Sequence, residues 1–295
     1  MTLRSVNFTT IEQNGKNVDK QFWYSIRKNN YVVPAGYAAM PLTEELFSYL
    51  GSTDPELRDI ISFFIFKNWV KQGLYSMDDL RGFIPRLIAN LQMGSGETDG
   101  DFVFLRSFSA VWLAVIVDYD IKKLGLKDEE IDPIKEAAFA YFAAERDLRG
   151  YDPVKGWVHA IDHAASLLSA LACSPHTDAN DHIRILDYLA AKLKDSAHWI
   201  YIYDEDDCLA EPAVDIFARG ALSVDQVRDW LAVLGADWND AFRDEGRARA
   251  FFNGRNFLRS AHWQMSTRDD IPNRDAIQNA LRNTLDQTCR FVFPE

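Results

Sequence analysis

His159 and His163 stand four residues apart in the stretch Lys155-Gly156-Trp157-Val158-His159-Ala160-Ile161-Asp162-His163. Imidazoles at i and i+4 of a helix face the same way and can share one divalent metal through ring nitrogens. A metal site of that kind needs a third protein ligand. The acids that could supply it are Glu145 and Asp147 upstream and the run Asp204-Glu205-Asp206-Asp207 downstream. Ala160 follows His159, so the glutamate base of an HExxH metalloprotease helix is missing. The chemistry these residues suggest is therefore metal-assisted hydrolysis by a bound water, with His159 and His163 as ligands beside a carboxylate. The competing reading makes both imidazoles hydrogen-bonded packing residues at the edge of the core.

Other residues near the pair have a chemical and a plain reading. Glu145, Arg146, Asp147 and Arg149 form a mixed-charge helix end, where Asp147 or Glu145 can orient an imidazole. The plain reading is a solvated turn whose ion pairs contribute at most about 1 kcal/mol each. Lys155, Gly156 and Trp157 read as the entry to a helix N-terminus, a place that favours anions. The plainer roles are a tight turn at Gly156 and a packed Trp157. The four acids from Asp204 sit at a helix start, where they suit the dipole without further function. Trp199, Tyr201 and Tyr203 either line a sugar or base pocket or belong to the core. Cys173 has only His176 near it in sequence, a thin basis for a thiol enzyme. The chain has no P-loop, GxSxG or GxGxxG motif.

The elements that must position these residues are helical. The spacing predicts a helix over 157–172, with Trp157, Ile161, Ala164, Leu168 and Leu171 as its apolar seam. The histidines fall on the flank of that seam, and the small Ser166 and Ala170 continue their stripe. Residues 148–156 read as a turn, and 198–203 as extended or helical. Helices are also expected over 17–28, 42–50, 55–72, a stretch starting at Ser76, 102–123, 128–147, 178–193, 204–219, 223–234, 240–265 and 273–289. Pro212 is expected to break or offset the 204–219 helix, and Gly246 and Gly254 to split 240–265. The 102–123 helix is apolar nearly all round and so belongs at the centre. Strand signals are almost absent. The fold class is all-α, as stacked antiparallel helix pairs recurring about every forty residues, a HEAT-like superhelix or an α/α toroid. It is read as one domain over 1–295, with 1–16 loosely ordered.

Composition narrows the classes. Hydrophobic residues make up 47% and charged residues 26%, which is globular rather than disordered. The net charge of −12 disfavours broad binding to nucleic acid. Cys173, Cys208 and Cys289 are odd in number and far apart, which fits reduced thiols in a cytoplasm. The first residues carry no apolar signal segment, and the sequon at Asn7 then has no meaning. The longest apolar run, Phe108–Val117, is half a membrane span, so no membrane role is expected.

Five clusters together resemble a known family. They are Glu145-Arg146-Asp147, Arg149-Gly150-Tyr151, Lys155-Gly156-Trp157-x-His159-Ala160-x-x-His163, Asp204-Glu205-Asp206-Asp207-x-Leu209-Ala210, and Gly254-Arg255-Asn256-Phe257-Leu258-Arg259-Ser260. The family is DUF2785, a bacterial domain of unknown function. The resemblance covers most of the chain and is most specific over 145–171. It implies an all-helical, bacterial, cytoplasmic protein and no particular reaction. The family pattern places Gly-Ala-Asp after the second histidine, whereas this chain has Ala164-Ala165-Ser166, which removes an acid from the histidine stripe. The polar Asn256 and Arg259 of the last cluster are expected to reach the same cleft.

The function expected is binding of a peptide, protein or small ligand in a groove near the His159/His163 helix. Its residues would be His159, His163, Lys155, Trp157, Asp147, Arg149, Asp206, Asn256 and Arg259. The alternatives are the hydrolase with a divalent metal on His159 and His163, and a carbohydrate-active toroid using two carboxylates such as Asp147 and Asp206.

Overall fold

Local capping defines several helix starts. The computed structural model describes residues 18–236 and 238–289, so the expectations for 1–16 and for the C-terminal tail lie outside the described residues. Helix α1 (Lys20–Lys28) starts where Asp19 accepts the Phe22 N–H, and α2 (Ala39–Ser48) follows. The stretch after Pro55 is not the regular helix its Asp-Pro start predicts. Glu56–Phe63 is wound as a π-helix and tightens into α3 (Phe64–Lys71). The wider turn buries Arg58 and Ser62. Such segments recur where a side chain must be held in an unusual place.

Helix α4 (Met77–Asn90) begins with a reciprocal box in which Ser76 and Asp79 satisfy each other's backbone N–H. Helix α5 (Phe102–Lys123) is buried along most of its length. Its Trp112 stacks on Phe66 at 3.7 Å. By length and composition α5 could cross a membrane, but most of its apolar surface is packed inside this protein. Helix α6 (Asp128–Ala144) follows, then a hairpin of β1 (Tyr151–Asp152) and β2 (Gly156–Trp157), with Tyr151 opposite Trp157. The remaining helices are α7 (Ala160–Cys173), α8 (Ala179–Asp195), α9 (Glu205–Arg219), α10 (Val224–Gly235), α11 (Glu245–Ser266) and α12 (Arg274–Cys289). The fold is all-α, as expected.

The helices form two rows. In one, α3, α5, α7, α9 and α11 pack in succession, and in the other α4, α6, α8, α10 and α12 do the same. One apolar core runs between them from Val18 to Leu281. Helix α7 lies in the middle of its row, against both α5 and α9. Its buried Ala164, Ala165, Ala170 and Ala172 let those neighbours come close.

Three local expectations are corrected. Pro212 lies inside an unbroken α9, and Gly246 and Gly254 lie inside an unbroken α11. In each case packing against neighbouring helices outweighs the local propensity. Gly254 also has a packing reason, because a Cβ there would stand 3.0 Å from the Trp238 ring. The 157–172 helix starts three residues later than its periodicity implies. Trp157 belongs to β2 and His159 is the N-cap of α7 in the left-handed region, at φ 52°.

Candidate functional site

The hairpin comes first, because it aims Trp157 and His159. Asp152 closes its turn by accepting the N–H groups of Val154 and Lys155, both at 2.9 Å. Those two bonds hold its carboxyl below the usual aspartate range. Gly156 has φ 77°, and a Cβ there would lie 2.8 Å from Pro55, so the turn needs glycine. From behind, the fully buried Arg58 donates to the carbonyls of Lys155 and Trp157, both at 2.8 Å, and to that of Ser52 at 2.6 Å. Its guanidinium also lies 4.0 Å above the Phe104 ring. Burial pulls its pKa down to about 10 against the raising fields of Asp59 and Asp54, so it remains a cation at neutral pH.

At the end of the hairpin, Trp157 stacks flat on His159, with ring centres 5.0 Å apart. Tyr151 and Tyr203 each pack in a T-shape against Trp157, at 5.0 and 5.5 Å. Tyr151 and Trp157 remain 43% and 39% exposed, so this aromatic group is a surface and not a core. Of residues 198–203, His198 ends a short 3-10 turn, Trp199 has extended backbone, and no helix forms again before Glu205. The buried Asn253 of α11 holds this segment by accepting the Tyr201 N–H and donating to the Trp199 carbonyl.

Both histidines are fixed through Nδ1. His159 Nδ1 lies 2.6 Å from Asp162 Oδ2 and so carries the proton toward the carboxylate. His163 Nδ1 lies 2.9 Å from Ser107 Oγ. The Ser107 hydroxyl gives its only proton to the Val158 carbonyl at 2.7 Å, so His163 Nδ1 must be the donor. Burial, and then the charge of His159, push His163 well below the usual histidine range, and it is neutral at pH 7. Its ring is flanked by Phe108, in a T-shaped contact at 4.7 Å, and Phe63 at 6.0 Å. The two imidazoles lie 5.2 Å apart between centres, and among the described residues no hydrogen bond occupies either Nε2.

A depressed histidine pKa links folding to pH. The unfolded chain takes up a proton near pH 6.5 that the folded state refuses. Stability from the neutral ring is therefore complete above about pH 6.5 and is lost as the pH falls through the lower folded value. Urea midpoints are expected to drop between pH 7.5 and pH 5, and to drop less in His163→Gln. Equal slopes in the two proteins would contradict the assignment.

The remaining predicted residues lie elsewhere. Glu145 is fully buried and clasped by Arg106 through two bonds of 2.7 and 2.9 Å, so it neither orients an imidazole nor sits in a solvated turn. Asp147 is buried against Arg149, also through two bonds, and Arg149 reaches on to Asp152. Lys155 pairs with Asp101 and stands in the hairpin rather than at a helix start. Asp206 is half-buried on α9, 3.4 Å from Ser260, with its pKa raised by burial. No hydrogen bond or ion pair brings Asp147 and Asp206 together. Asn256 is half-buried and Arg259 exposed on α11, and neither bonds to the histidine pair. Sequence reasoning missed Asp162, although its place three residues after an N-cap histidine is a usable signal. Arg58 and Ser107 carried no local signal. Among the described residues no three His, Cys, Asp or Glu side chains converge as a metal site.

The fold and site together define an all-helical protein of two packed rows, with a histidine pair at the head of its central helix. A family model described as "Protein of unknown function (DUF2785)" matches residues 90–262, and the chain belongs to that family. The match takes in the hairpin, both histidines and the buried Arg106–Glu145 pair. No curated protein matches the chain, and neither does any solved structure.

Proposed function

We propose that the protein binds a small ligand or an extended peptide in a groove along α7, with the His159–Trp157 surface at its head. One observation carries this reading. Of all α7 residues, His163, Ser166, Ser169 and Cys173 alone keep part of their surface, and the rest are buried. They form a single stripe, roughly 15 Å long at the helical rise of 1.5 Å per residue. It bears an imidazole, two hydroxyls and a thiol. A core helix flanked on both sides normally ends in apolar contact, whereas this one presents small hydrogen-bonding groups between α5 and α9.

The flanks support the reading. Cys173 lies within the fields of Asp215 on α9 and Asp118 on α5, which places both acids beside the stripe. Ser169 donates to Asp215 at 2.5 Å, and Arg268, just past the end of α11, pairs with the other oxygen of Asp215. A cavity of about 510 Å³ opens beyond, lined by Glu211, Asp215, Trp263 and Arg268 among others. That volume lies within the ordinary range for ligand pockets.

The test is a fragment and tripeptide screen followed by NMR of histidine-labelled protein. Hits are expected to shift the His163 and His159 ring signals and to lose binding in Ser166→Phe, which fills the floor. Hits that leave both rings unmoved, or that bind Ser166→Phe equally well, would refute the groove.

A second reading has one observation in its favour. Both imidazoles are held through Nδ1 by Asp162 and Ser107 and leave Nε2 open, which is how histidines are oriented toward a metal. The chain offers two such ligands and no third among the described residues. Zinc titration of the wild type against His159→Ala decides this reading, since stoichiometric uptake lost in the variant is required by it.

A further inference from the structure

Lys67 lies midway along α3 and Lys71 ends it, and Lys122 and Lys123 end α5. Because the row sets α3 and α5 side by side with α4 between them in sequence, both C-termini come to one end. The four side chains line one cavity of about 350 Å³, together with Val70, Val115, Asp118 and Tyr119.

Lysines at a helix C-terminus suit the helix dipole, and that accounts for Lys71, Lys122 and Lys123 taken singly. It does not account for two sets facing one cavity. Nor does it account for their lack of counter-ions in a chain of net charge −12. Lys20, Lys135 and Lys155 each pair with a carboxylate. Arg81, Arg86, Arg106, Arg146, Arg149 and Arg184 do the same. Among the described residues, none of the four cavity lysines has a carboxylate within ion-pair distance. Asp118 is the one acid of the lining. Two of the ammonium groups lie over aromatic rings, Lys67 over Phe63 at 5.4 Å and Lys123 over Tyr119 at 5.7 Å from the ring centres.

We infer that this crevice between α3 and α5 binds a phosphorylated small molecule carrying two or more negative charges. Four ammonium groups facing one carboxylate leave more positive charge than a single carboxylate ligand would neutralise. Lysine holds phosphoryl oxygens as a point charge without demanding the planar geometry of a guanidinium contact. Val70, Val115 and the Tyr119 ring give the organic part of the ligand an apolar wall. The volume lies at the lower end of small-molecule sites, enough for a compact phosphorylated metabolite. The cavity shares only Asp118 with the flank of the α7 groove, and none of its four lysines belongs to that groove.

Calorimetric titration of the full chain with pyrophosphate and with tripolyphosphate tests this at low salt. Saturable one-to-one binding is expected. Lys67→Gln with Lys122→Gln should weaken it at least about tenfold, as loss of charge-assisted bonds does. Higher ionic strength should weaken it further. Lys28→Gln, a lysine in the last turn of α1, is the control and should change nothing. Absence of saturable binding overturns the site. An equal loss in Lys28→Gln would mean a diffuse charge effect, and sulfate binding as tightly as tripolyphosphate would remove the phosphoryl assignment.

Discussion

Arg58→Met is expected to free the hairpin and to lower stability by roughly 2–4 kcal/mol, the range for leaving several buried acceptors unmet. Two effects compete at this position. The guanidinium is fully buried, no carboxylate among the described residues pairs with it, and its pKa is drawn down to about 10, so removing it recovers a desolvation cost. Methionine fills much of the volume but donates nothing, and the carbonyls of Ser52, Lys155 and Trp157 lose their partner together. Three lost bonds to a cation outweigh the recovered desolvation. Two of those carbonyls belong to the hairpin, so the loss is local before it is global. Hydrogen exchange over 150–158 should speed up well before the helices do, and Trp157 emission should move toward that of solvated indole. Unchanged protection of 150–158 would show that the hairpin is held by its own turn and not by Arg58. Ligand binding at the His159–Trp157 surface should fall in the same variant, because Trp157 sets the ring that lies on His159.

Arg106→Met is expected to be the costlier change, at about 3–5 kcal/mol, as for removing one partner of a buried ion pair. The side chains of Arg106 and Glu145 are 1% and 0% exposed, so a lone carboxylate would be stranded where no water reaches it. The guanidinium also carries the carbonyls of Met93 and Gly94, each at 2.8 Å, and so fastens the loop between α4 and α5. The expected fall in melting temperature is on the order of 10 °C for a chain of this size. The double variant Arg106→Met with Glu145→Met should recover part of the loss. Full recovery is not expected, because Glu145 Oε1 also accepts the N–H groups of Arg146 and Asp147. A double-mutant cycle by urea unfolding measures the coupling. Additive single effects would mean that the pair does not act as a unit.

These two arginines show how far sequence reading reaches at the site. The two histidines and Trp157 stood out by type and spacing, and the structure brings them together around one surface. What they bond to was not legible. Glu145 meets Arg106, 39 residues earlier, and the hairpin carbonyls meet Arg58, 97 and 99 residues earlier. Nothing in a local pattern records which polar group on a distant helix arrives opposite. The start of α7 was also misjudged, because Trp157 and Ile161 share a helical spacing that they keep from two different elements.

What the sequence determined by itself is what depends on near neighbours. Asp19, Ser76, Asp178, Ser223 and Asp244 each cap a helix two or three residues on, and such bonds form wherever the chain turns helical. The all-α class follows from the 3.6-residue period, and the central place of α5 from its lack of a polar side. Tertiary packing decided the rest. It wound Glu56–Phe63 wide enough to bury Arg58, kept α9 and α11 whole through Pro212 and Gly254, and left one stripe of α7 open. A helical period says which face of a helix is apolar. Which neighbours cover that face, and how completely, is settled only when the rows come together.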